Sequence, residues 1–222
     1  MNLKKYTAEA LGTAALVFTG CGAVAVDSIY EGILGHVGIS IVFGLIIMVM
    51  IYSYGNVSGA HFNPAVTIAF YIGKRINLKD SLLYIVSQFI GATAAAYSLV
   101  LIFPDAASYG PTIPSAGLWQ SFFFEIILTF ILMTVILNVS TGHMEKGIMA
   151  GIAIGGTVAL ASLFGGPVSG ASMNPARSLG PALASGNFTH FWIYMVAPII
   201  GAAIAVPFLH IIQGKKTHLK NI

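Results

Sequence analysis

Ser58-Gly59-Ala60-His61-Phe62-Asn63-Pro64-Ala65 and, 111 residues later, Ser169-Gly170-Ala171-Ser172-Met173-Asn174-Pro175-Ala176 are two versions of one octapeptide in a 222-residue chain. In both, asparagine precedes Pro-Ala after a run of small residues, as a helix start would: asparagine at the cap, proline in the first turn. The apolar segments that open there, Asn63 to Ile72 and Asn174 to Leu183, are ~10 residues long, whereas crossing a bilayer core takes ~20. Such segments fit re-entrant half-helices buried within protein. Singly, an Asn-Pro-Ala is an ordinary helix cap. Two at matching places in two halves of a chain point to a shared site.

Outward from these segments lie six longer apolar stretches: Tyr6 to Val26, His36 to Tyr54, Leu82 to Phe103, Trp119 to Val139, Gly147 to Phe164 and Phe191 to Ile212. Each is about long enough to span. The chain is 57% hydrophobic and 8% charged, with mean hydropathy +0.88. A soluble domain carries roughly 25% charged residues, so lipid is the solvent. A net charge of +3 gives no footing for nucleic acid. The single cysteine, Cys21, excludes an intramolecular disulfide and a cysteine-cluster metal site. Phe18-Thr19-Gly20-Cys21 faintly resembles a lipoprotein cleavage site; with Glu9 ahead of it and five spans behind, the segment reads as a retained span.

Basic residues give the orientation. Lys4, Lys5, Lys74, Arg75, Lys79, Lys146, Lys215, Lys216 and Lys220 all fall on one side if six spans alternate. Asp27, Glu31 and Asp105 fall on the other, with Arg177 the one basic exception. Both termini are expected to be cytoplasmic. Three spans per half is an odd number, so the expected plan is a single channel domain, 1–222, of inverted repeats 1–111 and 112–222, whose half-helices dip to a common midplane site. Ile90-Gly91-Ala92 returns as Ile200-Gly201-Ala202, and Glu9 as Glu125.

Two half-helices meeting N-terminus to N-terminus aim two positive dipole ends at one point, and the Asn63 and Asn174 amides add donors there. Such a point repels cations and hydronium yet accepts a neutral molecule with an acceptor oxygen. A water held by both amides would donate outward, breaking a proton wire. The irregular backbone expected over Val57 to Phe62 and Val168 to Met173, including Gly59, Ala60, His61, Gly170, Ser172 and Met173, leaves carbonyls as acceptors along a single-file path. Arg177, one turn into the second half-helix, faces a watery cavity as an intramembrane arginine usually does; a snorkelling surface arginine is the alternative. Glu9 and Glu125 read as braces accepting bonds from re-entrant backbone, with a proton relay as the competing role. His61 reads as a pore-lining or loop-bracing residue; no second metal ligand sits at helical spacing. Gly91, Ala95, Gly201 and Ala205 are expected at close helix contacts. No phosphate loop, nucleophile elbow or metal-binding pair argues for an enzyme, and no cofactor is implied.

The paired motifs Asn63-Pro64-Ala65 and Asn174-Pro175-Ala176, the repeat and Arg177 together resemble the major intrinsic proteins, the aquaporins and glycerol facilitators, over essentially the whole chain. The resemblance implies an all-α membrane protein with the aquaporin-like hourglass: six transmembrane helices plus two re-entrant half-helices. It further implies a homotetramer in a cell membrane with one pore per subunit, and a constriction formed by Phe43, Ser162, Ala171 and Arg177. Strict water channels usually carry histidine where this chain has Ser162. With Ala171 also small, a wider gap is expected. Gly44 to Ser53, Ser58 to Phe70 and Pro167 to Leu183 look like the nodulin-26-like branch, which implies glycerol-like polyols and neutral metalloid hydroxides. Arg177-Ser178 departs from the Arg-Asp of glycerol facilitators, and Phe43 from the usual residue of that branch.

The expectation is therefore a passive channel for water and small uncharged solutes, surrounded by lipid, excluding protons and ions. The alternatives are a water-selective aquaporin and, from another class, an ion-coupled secondary transporter, whose folds share inverted repeats and broken helices.

Overall fold

A computed structural model describes residues 3–140 and 148–213. Eight helices follow in order: α1 (Leu3–Ile29), α2 (Gly35–Ser58), α3 (Pro64–Ile72), α4 (Leu78–Ile102), α5 (Leu118–Val139), α6 (Ile148–Ser169), α7 (Pro175–Ser185) and α8 (Trp192–Gln213). All but α3 and α7 are long and apolar enough to cross a membrane. The two short helices start at Pro64 and Pro175, with Asn63 and Asn174 as their extended N-caps.

Several spans exceed the stretches read from hydropathy, because helices continue past the apolar core into polar ends. The largest difference is in α6, which was expected to stop near Phe164 and instead runs through Gly165-Gly166-Pro167 to Ser169. Proline lacks the N–H that would bond the carbonyl four residues back, which here is that of Leu163. His36 of α2 supplies the missing partner: its Nε2 lies 2.7 Å from the Leu163 oxygen. The ring reaches there across Gly166, where a Cβ would sit 2.6 Å from His36 Cε1. The helix thus survives a glycine-proline breaker because a neighbouring helix satisfies the freed carbonyl. The irregular backbone is shorter than expected in both halves. Val57, Ser58, Val168 and Ser169 are helical, leaving only 59–62 and 170–173 between each span and the asparagine cap.

Contacts between helices recur in pairs. α1 packs on α4 as α5 packs on α8; α1 on α2 as α5 on α6; and α3 touches α8 as α7 touches α4. Backbones approach closely at Gly91 and Gly201. An added Cβ would overlap the Ala10 carbonyl oxygen in one case and the Ile126 carbonyl oxygen in the other, so only glycine permits these crossings. Ala95 and Ala205 are buried in the same helices. Of the basic residues used for orientation, Lys146, Lys215, Lys216 and Lys220 lie outside the described residues.

Candidate functional site

The two loops that precede the half-helices share one strained backbone. Gly59, Ala60 and Phe62 have φ of 85°, 52° and 49°; Gly170, Ala171 and Met173 have 84°, 42° and 51°. Left-handed conformations at alanine, phenylalanine and methionine cost about 1–3 kcal/mol each and persist only where the surroundings over-determine them. Here a buried carboxylate does that in each loop. Glu9 accepts from Ser58 Oγ (2.6 Å), His61 N (3.0 Å), Phe62 N (2.7 Å) and Gln88 Nε2 (2.8 Å). Glu125 accepts from Ser169 Oγ (2.7 Å), Ser172 N (2.8 Å) and Met173 N (2.8 Å). Tyr84 and Tyr194 add matching bonds from their hydroxyls to the Ser58 and Ser169 carbonyls, at 2.8 and 2.7 Å. Neither tyrosine nor Gln88 was singled out in the sequence. A glutamine inside an apolar span is the signal that could have found Gln88.

The asparagines lock the loops to each other. Asn63 Nδ2 donates to the Met173 carbonyl at 2.8 Å, and Asn174 Nδ2 donates to the Phe62 carbonyl at 2.9 Å. Their Oδ1 atoms accept from the first turn of their own half-helices, Ala65 N for one and Ala176 N and Arg177 N for the other. An amide has two N–H donors. Each asparagine therefore spends one on the opposite loop and keeps one. Pro64, Ala65, Pro175 and Ala176 are buried in the first turns of the half-helices and do not border the cavity.

That cavity has a volume of about 490 Å³, and both asparagines line it. Gly59, Ala60, His61, Gly170, Ala171, Ser172 and Met173 line it as well. The carbonyls of 59–61 and 170–172 accept no hydrogen bond from the described residues, so a ladder of acceptors borders the space. Much of the remaining lining is apolar, including Leu16, Ile47, Leu132, Ile136, Ile154 and Val158. The His61 side chain braces the loop: its Nδ1 is 3.1 Å from Thr67 Oγ1 and its ring stacks on Phe70 at 4.6 Å.

Phe43, Ser162, Ala171 and Arg177 all line this same cavity, although they come from α2, α6, the second loop and α7. Arg177 is 7% exposed, not a snorkelling surface residue. Its Nη1 donates to the Gly110 carbonyl at 2.6 Å, and its guanidinium carbon lies 4.8 Å from the centre of the Phe43 ring. Gly110 belongs to the connection between α4 and α5, which reaches down over α7. Thr112 Oγ1 in the same connection donates to Ser178 Oγ at 2.7 Å, and Ser172 Oγ lies 2.6 Å from that hydroxyl. Ser178, noted in the sequence as a departure, thus ties this connection to the loop. Gly110 and Thr112 carried no sequence signal, since their role rests on a carbonyl and a hydroxyl in an irregular segment.

The sequence profile of the family described as "Major intrinsic protein" matches residues 1–209. The chain belongs to the major intrinsic protein family. Major intrinsic proteins are membrane channels, not enzymes, and the six spans make this one a multi-pass membrane protein. Similar relatives include aquaporin NIP1-2 of Arabidopsis thaliana, 50% identical over 90% of this chain and 71% of that protein. Nodulin-26 of Glycine max is 46% identical over 90% and 74%, and aquaporin NIP1-1 of Zea mays 44% over 99% and 78%. Among solved structures, the aquaglyceroporin from Plasmodium falciparum superposes with a TM-score of 0.85 at 26% identity, covering 94% of this chain and 95% of that one. The resemblance to the nodulin-26-like branch read from local sequence agrees with these relatives.

Proposed function

We propose that this protein is a passive channel for water and small uncharged solutes, glycerol-like polyols and neutral metalloid hydroxides included, and that it excludes protons and ions. The observation that carries the reading is the cavity's mixed lining of unpaired carbonyls and apolar side chains. Free carbonyls replace the hydration of a hydroxylated solute, apolar side chains suit its carbon skeleton, and the spare N–H donors of Asn63 and Asn174 border the space. Phe43, Ser162, Ala171 and Arg177 form the filter. Two of the four are small, and Ser162 Oγ has no partner among the described residues, which leaves a hydroxyl for the solute. The chain is one channel domain of inverted halves, 1–111 and 112–222, assembled as a homotetramer in a cell membrane with both termini in the cytoplasm. The positions of Lys4, Lys5, Lys74, Arg75 and Lys79 support that orientation.

No carboxylate lines the cavity among the described residues, which argues against an ion-coupled transporter. Stopped-flow light scattering on proteoliposomes tests the proposal. Fast shrinkage in an impermeant osmotic gradient and fast reswelling in a glycerol gradient are expected. Shrinkage without reswelling above protein-free vesicles would replace this reading with a water-selective channel. Flux that dissipates a proton gradient would replace it with a coupled transporter. The residue expected to set solute range is Ser162. Ser162→His should narrow the filter and lower glycerol flux about tenfold while largely sparing water. Equal loss of both fluxes would remove Ser162 from that role.

A further inference from the structure

Helices α1 and α5 share a register. Glu9 and Glu125 brace the two loops, Thr13 and Thr129 each donate to the carbonyl four residues back at 2.7 Å, and Leu16 and Leu132 both line the cavity. Among the positions where the two helices differ, two glycines of α1 stand opposite large apolar residues of α5. Where α5 has Leu128 and Ile136, α1 has Gly12 and Gly20. Ile136 lines the cavity with its side chain. At Gly20 there is none, and the Phe43 ring occupies the space. A Cβ built on Gly20 would overlap Phe43 Cε1 and lie 2.5 and 2.6 Å from Cδ1 and Cζ. The three nearest atoms all belong to that ring, so the gap in α1 accommodates the ring rather than another backbone. The Arg177 guanidinium lies over the same ring, its carbon 4.8 Å from the ring centre.

We propose that Gly20 is a specificity-positioning residue: the missing side chain forms a slot in α1 that draws the Phe43 ring back from the cavity. It thereby fixes both the width of the filter and the place of the guanidinium stacked on the ring. The proposal rests on the reading of Phe43 and Arg177 as filter residues. Gly20 touches no solute and acts through Phe43. One methyl group at position 20 expels the ring from its slot toward the space that Ser162 and Ala171 leave open. A water molecule tolerates that narrowing better than a three-carbon solute does.

The test compares wild type, Gly20→Ala, Phe43→Leu and the double variant in proteoliposomes, reading the ratio of glycerol to water permeability. Gly20→Ala is expected to lower the ratio about tenfold, the scale of one misplaced methyl or methylene in an apolar site. Phe43→Leu should shift the ratio by itself, and the double variant should match Phe43→Leu, because leucine lacks the Cε1 and Cζ atoms that the added methyl would strike and can rotate its Cδ atoms aside. A wild-type ratio in Gly20→Ala, alongside a shifted ratio in Phe43→Leu, would overturn the proposal and leave the filter standing. An unshifted ratio in Phe43→Leu would overturn the filter reading itself. If Gly20→Ala fails to insert, recovery of insertion in the double variant supports the slot. Failure of the double variant, with Phe43→Leu inserting normally, would show that Gly20 serves something other than the ring.

Discussion

Glu125→Ala is expected to leave water and glycerol fluxes indistinguishable from those of protein-free vesicles. The carboxylate is fully buried and answers three donors, Ser169 Oγ, Ser172 N and Met173 N. Each buried donor left unanswered costs about 1–3 kcal/mol. The loss also removes the two charge-assisted bonds from Ser172 N and Met173 N that fix the left-handed backbone at Ala171 and Met173, leaving it to weaker neutral bonds such as those of Asn63 and Tyr194. The second loop then gives up the Met173 carbonyl that receives Asn63, so the damage crosses to the first loop. The melting temperature in detergent should fall with the flux. Normal fluxes in Glu125→Ala would show that the loops keep their shape unaided. A graded comparison sharpens the point. Glu125→Gln sets an amide N–H₂ against the backbone N–H of Ser172 or Met173, and Glu9→Gln against that of His61 or Phe62. The other partners can adjust: the Ser169 and Ser58 hydroxyls rotate, and Gln88 can turn its amide to offer Oε1, which has no partner in the present arrangement. Both variants are therefore expected to be milder than Glu125→Ala and similar to each other.

Arg177→Val is expected to raise proton conductance through the channel about a hundredfold while water still passes. A unit charge at roughly 5 Å with an effective dielectric near 20 opposes a passing cation by about 3 kcal/mol, and each 1.4 kcal/mol is tenfold. Arg177 lies buried in the cavity wall, held by Gly110 and Phe43, so its charge cannot swing out to lipid headgroups. The dipole ends of α3 and α7 remain in the variant and keep part of the barrier. A pH-sensitive dye trapped in the vesicles reads the conductance. An unchanged proton leak would assign exclusion to the half-helices alone.

The fold was legible where the sequence repeats itself. Asn63-Pro64 and Asn174-Pro175 announced helix starts because a cap and a first-turn proline are local chemistry, and the short helices begin there. The end of α6 was not legible. Gly165-Gly166-Pro167 reads as a stop, and what overrides it is His36, 127 residues away. The site shows the same division. Asn63, Asn174, the loop residues before them and Arg177 line one cavity, where the asparagine amides were expected to add donors. Half of that capacity instead goes to the opposite loop, which depends on how close the two loops approach. Gly20 was passed over because its function is an absence: a sequence displays side chains, not the space a missing one leaves to Phe43.

The exchange of bonds between Asn63 and Met173 and between Asn174 and Phe62 is reciprocal, each partner giving what it receives. That is the rule of a self-complementary interface between identical molecules. Under the two-fold plan proposed above, the centre of this chain is a dimer contact enclosed in one polypeptide. A half-length protein meeting a second, upside-down copy of itself would already possess both bonds. Within one polypeptide the two halves need not be identical, and they differ at Gln88 opposite Pro198 and Gly20 opposite Ile136. The contact that binds the halves is symmetric, while the Gln88 bond to Glu9 and the seat of the Phe43 ring against Gly20 are not.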